Sequence, residues 1–278
     1  MCELPLLTKL SGGLGNQIYG LCTSWLISLM LDKEIFLEHI AVDNPQHTNR
    51  VFDVFEIDFG TVVEERISQK KILPVYLLLL RGLSKAARNN WIPGKVKIDD
   101  NSEVAPRSIA FCTQLQCDSK VAAKARILGF PKTVNLKNPS TEYTALERET
   151  DDKRVLAVHL RLTDIRSFES GNRMLSPNYF ARNIEVILEQ QSIDEIWVFS
   201  DEPDAISDFI PSNLKLRSVS STSSLTVCEE LVLMSKCAAL LGSRSTFSFW
   251  AGFWNPHQDS IYYPGDVEGF GRWNNSLI

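Results

Sequence analysis

In the second half of the chain, short unbroken apolar runs are separated by stretches of helical periodicity. Val155-Leu-Ala-Val-His-Leu160 follows the polar run 147–154 and reads as a strand buried on both faces, the habit of a parallel sheet. Glu195 to Ser200 reads the same way, and Leu214 to Val219, Ala238 to Leu241 and Ile261 to Tyr263 are shorter strands of the same kind. Between them, Ser176-Pro177 starts a helix with serine as cap and proline in the first turn; Phe180, Ile184, Ile187 and Leu188 form its apolar stripe. Thr226-x-x-Glu229 is a capping box that opens another helix, running through Cys237. Gly242-Ser-Arg-Ser-Thr-Phe-Ser-Phe-Trp250 leads from strand into helix. Strands that alternate with helices predict a parallel α/β sheet.

The first half opens in the same manner. Leu6 to Leu10 is strand-like and ends in Ser11-Gly-Gly-Leu-Gly-Asn-Gln17. Ile18, Leu21, Cys22, Trp25, Leu26, Leu29 and Met30 then follow helical spacing. Lys33 to Glu38 is a second strand, and Ser108 to Cys112 another. Residues 64–98 give no clear pattern, 131–146 read as loop, and the charged run Glu147 to Arg154 reads as a solvated inter-domain stretch. The division expected is 1–150 and 151–278, two α/β domains of ordinary size.

Composition narrows the function. With 278 residues, 44% apolar and 23% charged, the chain has the make-up of a soluble globular protein, and disorder is not indicated. A net charge of -5 argues against nucleic acid as the main partner, but an anionic small ligand responds to the local field. The six cysteines show no C-x-x-C spacing, and Cys22, Cys228 and Cys237 fall in apolar helical patterns as buried thiols. They imply a reducing compartment. With no leader and no apolar run of about 20 residues, the expected location is the cytoplasm. Leu77 to Leu83 could support a peripheral membrane contact. His39 and His47 read as solvated, since no third metal ligand is near.

Three loops between strand and helix carry the candidate chemistry. In open α/β sheets ligands bind beyond the carboxyl ends of strands. Gly12 to Gln17 lets a ligand approach the backbone at a helix end that favours an anion. It fails as a Walker loop, because Asn16-Gln17 follows Gly15, and as G-x-G-x-x-G, because Ile18 stands at the third glycine. His159 and Arg161 are two apart and face the same way on an extended backbone, with Asp164 just beyond. Arg161 can fork onto a phosphate or carboxylate. Together with Ser245 and Thr246 it could hold a diphosphate; a salt-bridged strand end explains it as well. No D-x-D triplet is present, so nothing demands a metal-bound diphosphate.

Gly12-Gly-Leu-Gly-Asn-Gln17, Val158-His-Leu-Arg-Leu-Thr-Asp164, Val198-Phe-Ser-Asp201 and Ser243-Arg-Ser-Thr-Phe-Ser-Phe-Trp250 together resemble the motifs of glycosyltransferase family 11, the α-1,2-fucosyltransferases, especially the short bacterial ones. Leu175-Ser-Pro-Asn-Tyr179 and Leu231-Val-Leu-Met-Ser235 fit in order. The resemblance is thin over 60–150. It implies a GT-B-like α/β fold, two Rossmann-like domains with parallel sheets facing across a cleft, the second binding the GDP-sugar. It implies metal-independent, inverting transfer of L-fucose from GDP-fucose to a galactoside 2-hydroxyl, in surface glycan or O-antigen synthesis, with no cofactor besides the donor. By the same resemblance Arg161 holds the β-phosphate, and His159 and Asp164 support its loop. Ser245, Thr246 and Phe247 line the nucleotide site, with Gly13, Gly15, Gln17 and Asp201 among the substrate contacts. Asn16 lies near donor and acceptor. The family usually has a second arginine where this chain has Leu162, which opens the alternatives of another GDP-sugar, another acceptor or a silent nucleotide-binding protein.

Overall fold

The computed structural model describes residues 6–10, 13–31, 35–39, 55–56, 62–63, 96–99, 102–104, 119–163, 175–211, 214–222, 224–264 and 275–277. Tertiary contacts divide the chain into two compact units, Met1–Val51 with Ile57–Pro131, and Phe52–Glu56 with Lys132–Ile278. The main stretch of the second unit begins at Lys132, whereas the sequence reading divides the chain at 150/151.

In the first unit β1 (Leu6–Leu10) and β2 (Ile35–His39) pair in parallel, and β4 (Val62–Val63) extends the sheet beyond β2. A short antiparallel pair, β5 (Val96–Asp99) and β6 (Ser102–Val104), also belongs here. Between β1 and β2 runs α1 (Leu14–Leu31). Its predicted stripe is inside at Ile18, Leu21, Cys22, Trp25 and Leu26, whereas Leu29 is exposed. A second helix, α2 (Ser119–Leu128), buries Ala122 and Ala125, and Phe130 beyond it meets Trp25 edge-on with ring centroids 5.5 Å apart. Ser108 to Cys112, His47 and Leu77 to Leu83 lie outside the described residues.

The second unit is built on a six-stranded sheet, all of whose strand pairs are parallel. In chain order the strands are β8 (Val155–Leu160), β9 (Glu195–Ser200), β10 (Leu216–Ser218), β11 (Ala239–Leu241), β12 (Ile261–Pro264) and β13 (Asn275–Leu277). In space the order is β10-β9-β8-β11-β12-β13. This is the 3-2-1-4-5-6 order of a dinucleotide-binding sheet, and the direction of winding reverses between β8 and β11. A separate antiparallel pair joins β3 (Phe55–Glu56) to β7 (Asn135–Leu136).

Both strand-flanking helices start where the sequence says. Ser176 caps α4 (Pro177–Gln190), its hydroxyl accepting from the Tyr179 amide. Thr226 and Glu229 form the reciprocal capping box of α5 (Val227–Lys236). On one face of the sheet Phe180, Ile184 and Ile187 of α4 pack with Leu156, Val158, Leu160, Ile196 and Val198. On the other side α5 packs against α6 (Thr246–Trp254), which buries Phe249, Trp250, Phe253 and Trp254. Cys22, Cys228 and Cys237 are buried free thiols, as their helical positions predict.

The charged run is the largest correction. Residues 141–152 form a helix, α3 (Thr141–Asp152), capped by Ser140, whose amide in turn donates to Glu229 Oε1 at 2.7 Å. Only Tyr143 and Leu146 of α3 are buried, one helical turn apart. So narrow a stripe leaves the rest of the surface to solvated charge, and the helix escapes a search for apolar periodicity. Two of its charges are paired across to neighbours: Glu149 with Lys153 and Arg217, and Glu147 with Lys236. Such exposed pairs contribute ~0–1 kcal/mol each, so docking rests chiefly on Tyr143, Leu146 and the Ser140–Glu229 bond.

Candidate anion site at the reversal of the sheet

At the reversal of strand order the loops after β8 and β11 lie side by side, because β8 and β11 pair from Ala239↔Leu156 to Leu241↔Val158. Side chains alternate across the sheet. His159 and Arg161 therefore share the face that carries α6, while Leu160 and Leu162 enter the core beneath α4, where Leu162 is 1% exposed. Leu162 is thus a packing residue, and its alternation with Arg161 is the geometric reason.

Two contacts join the loops. His159 Nδ1 and Ser243 Oγ are 2.7 Å apart, and Arg161 Nη1 donates to Ser245 Oγ at 2.9 Å. Ser245 is the N-cap of α6, its hydroxyl also accepting from the Phe247 amide at 3.2 Å. Arg161, half-buried, thus stands at the amino end of a nine-residue helix, where the backbone dipole adds to its positive charge. The Phe247 ring lies 5.6 Å from the His159 ring. Burial, and secondarily the Arg161 charge, push the His159 pKa down to about 3. The imidazole is therefore neutral at physiological pH; it adds a hydrogen bond to Ser243 but no charge.

Asp201 follows β9 and serves the loop after β8. Its carboxylate accepts from the amides of Leu162 at 2.8 Å and Thr163 at 3.2 Å. The carboxylate thereby fixes the backbone that carries Arg161. Asp164 lies outside the described residues.

In the first unit Gly13, Gly15, Asn16 and Gln17 form the entry to α1. The Gly13 carbonyl accepts from the amides of Asn16 at 2.9 Å and Gln17 at 3.1 Å, closing the first turn. Gln17 and Gly15 are buried, and Asn16 is exposed.

Two residues gave no usable signal in the sequence. Ser248 lies in the first turns of α6, where its hydroxyl donates to the carbonyls of Ser243 at 3.3 Å and Ser245 at 3.2 Å and accepts from the Ser243 amide. Nothing but its place in the serine-rich motif hinted at that role. Glu230, half-buried on α5, accepts a hydrogen bond from Ser220. The Ser220 hydroxyl also accepts from the Ser200 amide at 3.0 Å at the end of β9. Burial, with a lesser contribution from the Asp201 charge, pushes the Glu230 pKa up to about 7. As one half of an ordinary Glu-Glu pair, it gave no signal in the sequence. Among the described residues no three of His, Cys, Asp and Glu are grouped so as to hold a metal ion, and no helix is long and apolar enough to cross a membrane.

No family model matches the chain, and no curated protein matches it in sequence. Solved structures do match. The crystal structure of POFUT1 in complex with GDP-fucose is 15% identical, with a TM-score of 0.58 over 95% of this chain and 99% of that one. POFUT1 in complex with GDP gives 12% and 0.55 over 94% and 98%. The fucosyltransferase NodZ from Bradyrhizobium gives 10% and 0.44 over 90% and 93%. At these identities the likeness to POFUT1 is one of fold, and the α/β architecture anticipated from the alternating elements is the observed one.

Proposed function

We propose that the chain is a fucosyltransferase that uses GDP-fucose. The observation that carries this reading is the Arg161–Ser245 contact at the amino end of α6, on the reversal point of a dinucleotide-type sheet. That arrangement suits a diphosphate. The fold likeness to a protein solved with GDP-fucose, and the motifs in their order along the chain, supply the rest.

In the reaction envisaged, the acceptor hydroxyl oxygen attacks the anomeric carbon of fucose. The bond from that carbon to the diphosphate oxygen breaks, its electron pair leaves with GDP, and the hydroxyl proton passes to a base. Negative charge grows on the departing diphosphate as the sugar becomes oxocarbenium-like. Arg161 and the positive end of α6 are placed to stabilise that charge. Neutral His159 holds Ser243, and Asp201 holds the backbone of the Arg161 loop. Thr246 and Phe247 line the nucleotide subsite, and Gly13, Gly15, Asn16, Gln17 and Asp164 are assigned to substrate by their motif positions. The finer reading is inversion without a metal, giving an α-1,2 link to a galactoside in surface glycan or O-antigen synthesis, in the cytoplasm at the membrane surface. No nucleic acid and no further cofactor take part.

Purified protein with labelled GDP-fucose on a glycan array, with and without EDTA, tests the reading. A panel of other GDP-sugars runs alongside. The expected result is fucosylation of galactoside termini, insensitive to EDTA. Turnover with a different donor alone would overturn the fucose assignment. Loss with EDTA and recovery with Mn²⁺ would overturn metal independence. Absence of both GDP binding and turnover would overturn the whole reading.

A further inference from the structure

Tyr263, on β12, lies one strand away from the residues that meet the proposed phosphate, and it is 5% exposed. Its hydroxyl donates to the Ser248 carbonyl and is hydrogen-bonded to the backbone of Gly252, one turn along α6. Two glycines make room for it. A Cβ on Gly242 would run into the Tyr263 ring, and one on Gly252 would lie 2.7 Å from its hydroxyl oxygen. A phenol is therefore seated between the β11 exit and the body of α6, with its oxygen engaged by helix backbone. Burial holds its pKa well above the ordinary value, so it remains a protonated donor.

From Ser248 the connections run straight to the site. The Ser248 hydroxyl bonds Ser243 and Ser245, and those serines bond His159 and Arg161 respectively. We infer that Tyr263 is a positioning residue. It keys α6 to the sheet, setting the distance between the helix's amino end and Arg161, and hence the fit of the phosphate subsite. This rests on the reading of that subsite as the GDP site. Its neighbour Tyr262 supplies the contrast. It points to the opposite face, where its hydroxyl accepts from Gln191 Nε2 at 2.7 Å, and it packs in the core beneath α4. Both tyrosines are buried on one strand, and only one touches α6.

The experiment compares Tyr263→Phe with Tyr262→Phe in the full chain. Thermal midpoint, GDP affinity by calorimetry and amide exchange in the first turn of α6 are measured. Tyr263→Phe removes two hydrogen bonds and Tyr262→Phe one, so both should lower the midpoint, Tyr263→Phe by more. Tyr263→Phe should weaken GDP binding about tenfold, the order expected for a loosened polar network. It should also speed exchange at Phe249, whose amide donates to the Ser245 carbonyl at 3.1 Å. Tyr262→Phe should leave both unchanged. Equal GDP affinity in the two variants, or equal exchange at Phe249, would overturn the positioning role. If the wild-type chain binds no GDP, the functional reading fails, and the exchange comparison still decides what Tyr263 does.

Discussion

Replacing Arg161 separates what this side chain does for the fold from what it does for the substrate. In the fold, Arg161→Ala removes the 2.9 Å bond to Ser245, a side chain that keeps its bond from the Phe247 amide. Losing one hydrogen bond at a half-buried position costs ~0.5–1.5 kcal/mol. For a unit of this size that is a fall in Tm of roughly 2–6 °C. The catalytic cost is larger. A preorganised donor aimed at developing charge contributes ~3–4 kcal/mol, so kcat should drop by roughly 10²–10³. Arg161→Lys should fall nearly as far, because an ammonium keeps the charge and loses the planar fork. A second readout comes from His159, held low first by burial and second by the Arg161 charge. In Arg161→Ala its pKa, followed by ring-proton NMR, should rise yet stay below the ordinary value. Steady-state kinetics with GDP-fucose, thermal melts and the titration together decide the matter. A near-normal kcat in a folded Arg161→Ala protein would refute the assignment of this residue to the leaving phosphate, and with it the site.

Leu162→Arg, which would give the chain the arginine pair of the family it resembles, should do harm. A guanidinium at a 1% exposed core position costs about 3–5 kcal/mol, lowering Tm by roughly 10–15 °C, without tighter GDP binding; an unchanged midpoint with improved affinity would show that this side chain turns toward the ligand. Asn16→Ala should reduce turnover more than GDP affinity, since Asn16 is exposed in the first unit and the proposed phosphate contacts lie in the second; equal losses in both would assign it to the nucleotide. Glu230 has a folded pKa above its unfolded value, so its contribution to stability is full below about pH 4.5 and is lost as pH rises through about 7. Glu230→Gln should therefore gain on wild type between those limits, by on the order of 2 kcal/mol, in urea melts at pH 5 and pH 8; His159 titrates the same way in both proteins and cancels, and a constant difference would show that Glu230 is not titrating there.

What the sequence revealed follows how local each signal is. β8 and β9 were legible because six consecutive residues are buried or nearly so, and the caps at Ser176 and Thr226 because their geometry lies within four residues. His159 and Arg161 could be placed by strand alternation alone, and so could the inward turn of Leu162. α3 was hidden because its docking depends on two apolar residues and a glutamate far along the chain. The partners of His159 and Arg161 lie 84 positions away, and Ser248 and Tyr263 act through packing that no spacing rule encodes. A resemblance could name Ser245; only the fold shows that it is the cap on which Arg161 rests.

The reversal of strand order also governs when the site comes into being. β8 and β9 are consecutive strands that pair directly, whereas β11, which joins the far side of β8, lies beyond α5 in the chain, and Tyr263 lies further on still. Contacts of such long sequence separation form slowly, since the intervening chain must be closed first. The candidate anion site therefore depends on long-range pairing and is complete only once β8, β11 and α6 have come together. A ligand that binds there recognises completed protein and holds it: at a hundred times its Kd it adds ~2.7 kcal/mol to the folded state. If the proposed donor nucleotide binds there, chains made where it is plentiful should keep those strands docked more often than chains made without it.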